Sequence, residues 1–167
     1  MKAIAIFLVL AACRMTDDAA PDPKPAASTA AVATAAPMKA SGIELVTAPA
    51  GDVHAVVAAA KKQARERGRT LLVYIGARWC EPCQRFHHAA ELGELDAKFP
   101  KLTLLVFDAD DDGERLHRSQ YAPGYLPYFA MPGDDGKPTR HSMEGSIKGD
   151  GAVANIAPRL ERLIDEN

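Results

Sequence analysis

The chain has no run of basic residues, only three cysteines among its 167 residues, and an N-terminal apolar stretch too short to cross a bilayer. Each shortage excludes something. The formal net charge is -2, and removing residues 1–12 would take away only Lys2, leaving 19 basic against 22 acidic residues. Nucleic-acid binding needs clustered Lys and Arg, so DNA and RNA are not expected as partners. Three cysteines, one at position 13 and two at 80 and 83, do not make a structural disulfide framework, which needs more pairs at wider spacing. No internal repeat is visible. The length fits one domain with an appendage.

What is present begins with an address. Residues 3–12 are apolar behind a single positive charge, Lys2. Ten residues of helix reach roughly 15 Å, about half of a hydrocarbon core, so the stretch reads as a signal-peptide h-region. Leu10-Ala11-Ala12-Cys13 resembles a bacterial lipoprotein signal box. That resemblance implies cleavage after residue 12 and lipidation of Cys13, with the protein exported and lipid-anchored on the periplasmic side of a bacterial membrane. Arg14 follows the cysteine and leaves the inner or outer membrane open. The alternative is ordinary secretion with Cys13 incidental.

From Arg14 to Gly42 there are ten alanines and four prolines, with almost no large apolar residue. Such a segment cannot bury enough surface to offset its ordering entropy. The expected organisation is therefore a signal peptide over 1–12, a lipidated cysteine and disordered tether over 13–42, and a folded domain over 43–167. Within the domain, Asp52 is the expected N-cap of a helix that Gly68 stops. Val53, Val56, Val57, Ala60 and Ala64 share one face of that helix. Thr70–Ala77 reads as a strand buried on both faces, followed by a helix from about Cys83 to Phe99. Leu102–Phe107 is a second buried strand, and a short helix spans about Asp112 to Tyr121. Tyr128–Met131 and Thr139–Met143 flank the turn-rich segment 132–136 as a hairpin. The last helix covers about 150–165, with Pro158 expected to kink it or delay its start. After an opening helix the order is β-α-β-α-β-β-α, an α/β sandwich with a mixed sheet.

The chemistry lies in Cys80-Glu81-Pro82-Cys83. At a helix start, backbone N–H groups and the positive dipole end favour a thiolate at the first cysteine. The second lies one turn in, close enough to close a small disulfide ring. Attack by Cys80 on a partner's disulfide makes a mixed disulfide that Cys83 resolves. Pro82, just inside the helix, removes an N–H where none is needed and presets φ.

Strand, Ala77-Arg78-Trp79-Cys80-Glu81-Pro82-Cys83 and helix together resemble a thioredoxin, with the likeness running over roughly residues 45 to 165. The resemblance implies the thioredoxin fold, a mixed central sheet between helices in a three-layer α/β/α sandwich. It implies that Pro127 of Tyr125-Leu126-Pro127 is cis and that the Leu126 backbone pairs with a substrate strand. Trp79 would form an apolar rim that the substrate covers, Tyr125 is the best tyrosine for contact, and Gly145 stands where the family keeps a small residue. Tyr121 and Tyr128 are expected in the core.

Two departures stand out. The family's buried aspartate, six residues before the first cysteine, is Tyr74 here, and its accompanying lysine corresponds to Val106. Glu81-Pro82 resembles exported thioredoxins that serve cytochrome c maturation. Glu81 opposes ionisation of Cys80, whereas the helix dipole and Arg78 favour it, each by about 1 kcal/mol. The dipeptide favours a reductant, with an oxidase or isomerase as the alternative. The expected partners are protein disulfides, a membrane-embedded redox protein that recharges the pair, and the membrane itself through the lipid anchor.

Other signals are weaker. Cys80, Cys83 and His87 have ligand-like spacing but lack a fourth ligand for structural zinc, and a metal-binding or adaptor module is the alternative from another class. Covalent haem needs His directly after the second cysteine, where Gln84 stands. The run 108–113 begins like a calcium loop, but its position 12 is Ser119 rather than a glutamate. No cofactor and no metal is expected. His54, His87, His88, His117 and His141 read as ordinary surface or core residues.

Overall fold

A computed structural model of the protein describes residues 41–166. The signal segment 1–12, Cys13 and the expected tether up to residue 40 lie outside the described residues. The chain enters the sheet with strand β1 (Glu44–Thr47), continues through helix α1 (Val53–Glu66) and strand β2 (Thr70–Gly76), and turns into helix α2 (Glu81–Glu91). Strand β3 (Leu102–Asp108), helix α3 (Gly113–Arg118), strands β4 (Tyr128–Pro132) and β5 (Pro138–Glu144), and helix α4 (Ala152–Asp165) follow. The sheet order is β1-β3-β2-β4-β5, with β1, β3 and β2 parallel and β4 and β5 antiparallel. This is the thioredoxin fold.

Alternation along the central strands builds two cores. Leu72 and Tyr74 of β2 and Leu102 and Leu104 of β3 face Phe86 of α2 and Ile156 and Leu160 of α4. Leu71, Val73 and Ile75 with Leu105 and Phe107 face Val53 and Val57 of α1 and Leu116 of α3. Successive strand side chains point to opposite faces, and helices cover both, so β2 is a nearly continuous apolar run. Helix α1 starts as the sequence predicts: the Asp52 carboxylate accepts the Ala55 N–H at 2.9 Å, and Gly68 has a left-handed φ of 64°.

Four expectations need correction. First, an additional strand, β1, precedes α1 and makes five strands. Its four residues pair in parallel with β3, Glu44 opposite Thr103. Four residues carry too little pattern to be read alone, and the edge strand takes its register from its neighbour. Second, the helix after the cysteines runs from Glu81 to Glu91 rather than to Phe99. Gly93 takes a φ of 77°, and tight turns bring Leu95 and Phe99 into the core. Third, the short helix spans only Gly113–Arg118, ending before Gln120, which has a φ of 66°. Fourth, α4 begins six residues ahead of Pro158 and runs through it. Pro158 is exposed, so the carbonyl it leaves without a helical donor can meet water.

Candidate redox-active site

The C-terminal end of β2 delivers the cysteines. The Cys80 N–H donates to the Ala77 carbonyl at 3.1 Å, closing the turn through Arg78 and Trp79, and Cys80 becomes the N-cap of α2. Its sulfur accepts the Cys83 N–H at 3.3 Å. The two cysteines form a disulfide with their Cα atoms 5.2 Å apart. Glu81 and Pro82 occupy the first two helical positions, where N–H groups have no intrahelical acceptor. When the disulfide opens, the same Cys83 N–H and the helix dipole are in place to stabilise negative charge on Cys80.

Opposite the disulfide, the Leu126–Pro127 peptide bond is cis. Leu126 packs on Ala77, Cys80 and Cys83. No described residue hydrogen-bonds the Leu126 backbone N–H or carbonyl. Its loop is held on both sides. The Glu144 carboxylate accepts the N–H groups of Gly124 and Tyr125 at 2.9 and 3.3 Å, and the Pro127 carbonyl accepts the Gly145 N–H at 2.9 Å. Gly145 has a φ of 68°, a left-handed conformation that favours glycine, and a Cβ there would meet the Tyr125 Cβ at van der Waals contact, 3.4 Å.

Trp79, Cys80, Pro82, Tyr125, Leu126 and Lys148 are among the walls of a groove of about 620 Å3 beside the disulfide. Trp79 is 68% exposed and Tyr125 72%. Two large apolar side chains thus stand open on the rim of one groove. Tyr121 and Tyr128 are buried instead, and the Tyr121 hydroxyl donates to the Gly136 carbonyl at 3.0 Å.

The polar surroundings hold residues that the motif alone did not single out. The Glu81 carboxylate accepts from the Arg85 guanidinium and from the Gly149 N–H at 3.1 Å, and Arg85 also reaches Asp150 at 2.7 Å. The Arg85 hydrogen bond, then the Gly149 N–H, hold the Glu81 carboxyl below its usual range. Its negative charge beside Cys80 is therefore accompanied by a guanidinium one turn along the helix. The Glu81–Arg85 spacing, four residues on a helix, was the available signal. Arg78 takes another direction. It pairs with Asp111 at 2.9 Å and lies 3.8 Å from Asp108. The indole N–H of Trp79 donates to Asp110 at 3.0 Å. In the run that begins like a calcium loop, Asp108 accepts the N–H groups of Asp110 and Asp111, and Asp112 binds Arg115.

Beneath the pair, Tyr74 is 2% exposed and donates its hydroxyl to the Cys83 carbonyl at 3.3 Å. It stacks on Phe129 at 4.9 Å and meets Phe86 edge-on at 5.8 Å. Burial pushes its phenol well above the ordinary range, so it keeps its proton at any physiological pH. Val106 packs against the same core.

Residues 52–131 match a family described as thioredoxin-like. That span holds the strand, the Cys80–Cys83 helix start and the cis-proline loop. Over that span the chain is similar to the thioredoxin-like family. Among solved structures it is similar to the thioredoxin of Fasciola hepatica, at 20% identity and a TM-score of 0.47, covering 74% of this chain and 99% of that one. It is also similar to oxidized thioredoxin O1 of Arabidopsis thaliana, at 19% identity and a TM-score of 0.45, covering 75% and 96%. A search of curated proteins finds no match.

Proposed function

We propose that this thioredoxin-like protein is an extracytoplasmic thiol–disulfide oxidoreductase that reduces disulfides in partner proteins. The observation that carries the reading is the Cys80–Cys83 disulfide at the N-terminus of α2, packed by Leu126 and set at the wall of an apolar-rimmed groove. In the reduced protein the Cys80 thiolate attacks one sulfur of a partner disulfide, and the other leaves as a thiolate. Cys83 then attacks Cys80, the mixed disulfide breaks, and two electrons end on the partner. The unpaired Leu126 backbone is the edge on which an extended partner segment would hydrogen-bond, with Trp79 and Tyr125 covering its flanks.

The direction of exchange is read from the Glu81–Pro82 pair. An anion next to Cys80 weakens the thiolate stabilisation that makes strong oxidants oxidising. Export and anchoring are read from Leu10-Ala11-Ala12-Cys13, and a membrane-embedded donor would recharge the pair at the bilayer. Equilibration with glutathione and dithiothreitol tests the direction. A potential below about -230 mV supports a reductant, and one above about -150 mV makes the protein an oxidant or isomerase.

A further inference from the structure

The disulfide has two sides. Cys80 lines the groove at the front, whereas Cys83 lines a separate cleft of about 320 Å3 behind it, shared with Tyr74, His87, Glu91 and Asp108. Gly76 keeps that cleft open beside Cys83. A Cβ there would stand 3.5 Å from the Cys83 Cβ and 2.9 Å from the Tyr74 hydroxyl. Resolving a mixed disulfide requires Cys83 to lose its proton, because the thiolate is the nucleophile. Cys83 is 2% exposed, and apolar burial holds a thiol in its protonated form. A proton acceptor must therefore stand near it.

The core supplies none. The Tyr74 hydroxyl is committed to the Cys83 carbonyl and retains its own proton. Among the described residues the buried polar side chains apart from tyrosines are Glu44, Arg69, Thr103 and Ser119, and none lines the cleft. On the cleft wall, Asp108 turns one oxygen to two backbone N–H groups and the other toward Arg78. His88 lies one residue further round the helix and is exposed. His87 is four residues beyond Cys83, on the same face of α2 one turn along. Its Nε2 stands 3.3 Å from the Glu91 carboxylate, another turn on. With Nε2 carrying the hydrogen toward Glu91, Nδ1 of the neutral ring is a free lone pair. A free imidazole is also a stronger base than a free carboxylate by about two pKa units.

We infer that His87 accepts the Cys83 proton in the resolving step, with Glu91 setting its tautomer. The inference rests on the exchange reaction proposed above. The proton passes from Cys83 Sγ through the cleft to His87, and the Cys83 thiolate attacks Cys80 Sγ. The Cys80–partner bond breaks as the Cys80–Cys83 bond forms. The electron pair leaves on the partner's sulfur, which takes a proton from solvent, and His87 returns its own proton to solvent. The charged and titratable groups that share its cleft are Glu91 and His88 on α2, Tyr74 of β2, Arg78 and Asp108.

The test mixes the reduced full-length protein with a peptide disulfide, quenches with acid at intervals, and counts mixed disulfide by mass spectrometry from about pH 6 to about pH 8. The wild type is expected to resolve without accumulating it. His87→Asn should form it at the wild-type rate and resolve it about a hundredfold more slowly near neutrality, with added imidazole restoring the rate. Glu91→Gln should shift the pH profile of resolution and leave the first attack unchanged. The His87 side chain is 37% exposed, so the substitution spares the core, and His87→Gln serves as a second variant. Resolution at the wild-type rate in both His87 variants, or slowing only in Asp108→Asn, overturns the inference. If the wild type leaves the peptide disulfide unreduced and Cys83→Ser captures none of it, the exchange reaction itself is wrong; if only the His87 prediction fails, exchange stands.

Discussion

The two ends of the parallel strands solve opposite problems. At their N-terminal ends, charge is buried and fully partnered. Arg69 donates to the Thr103 hydroxyl at 2.8 Å and to the carbonyls of Gly42 and Leu102, both at 2.6 Å, and lies 3.3 Å from Glu44. Arg67 closes on the same carboxylate at 2.9 Å. At their C-terminal ends the reverse holds. Under the disulfide lie Tyr74, Phe86 and Phe129 without a buried charge, and the exposed rim is aromatic. The contrast shows where this fold tolerates low-dielectric charge. A buried ion must have its hydrogen-bonding capacity filled, and the N-terminal end does this with β1 and the chain entering it. Around its disulfide this chain keeps the buried surroundings apolar and the charged groups at the margins.

The contrast can be broken from either end. The largest effect belongs to the sulfurs: Cys80→Ser should abolish disulfide exchange, while Cys83→Ser should trap mixed disulfides through Cys80, seen on non-reducing gels. Neither change touches the charged end, so the stability of the reduced form should be nearly unchanged.

Arg69→Met attacks the other end. It strands the Gly42 and Leu102 carbonyls and removes one of Glu44's cations, and it should cost about 3 kcal/mol. Urea unfolding of the variant should show this loss while the reduction potential stays where it was. A potential that moves with Arg69 would erase the distinction between the two ends.

Alkaline pH sharpens the comparison further. Burial raises the phenols of Tyr74, Tyr121 and Tyr128 above their ordinary value. In the unfolded chain they ionise from about pH 10, so the unfolded state releases protons that the folded state keeps. Stability is then complete below about pH 10 and falls as pH rises beyond it. Phenolate absorbance should show these three tyrosines titrating only as the fold is lost, and Tyr74→Phe should flatten the pH dependence. The smallest effect is expected from Glu81→Gln. Removing the anion beside Cys80 should lower the Cys80 thiol pKa slightly and raise the reduction potential slightly, both readable by thiolate absorbance and glutathione equilibration.

The helix α1 and strands β2 and β3 were legible because each carries a complete local pattern: a capping Asp52 and stopping Gly68, or a run of apolar residues long enough for one strand. The redox pair was legible for a related reason, since its motif is four residues long, whereas the cis proline loop, 44 residues beyond Cys83, was legible only through the resemblance. Strand β1 was not, because four residues that begin with a glutamate look like a surface segment until Arg67, Arg69 and Thr103 surround it. The end of α2 was missed because Leu95 and Phe99 continue the apolar content of the helix while Gly93 turns the chain.

By itself the sequence determined which two cysteines pair and where the helix that carries them begins, since these depend on residue type and short spacing; that Tyr74 and Val106 stand where an acid and a lysine would otherwise lie came from the resemblance. Only the tertiary structure decided that Arg78 faces the aspartate loop while Arg85 and Gly149 hold Glu81. It also decided that Cys83 opens onto a cleft with His87 rather than onto the groove. The reason is physical: a side chain's partner is set by which segments the sheet and helices bring within about 3 Å of it, and residues 68 positions apart, such as Glu81 and Gly149, meet only when the fold is complete.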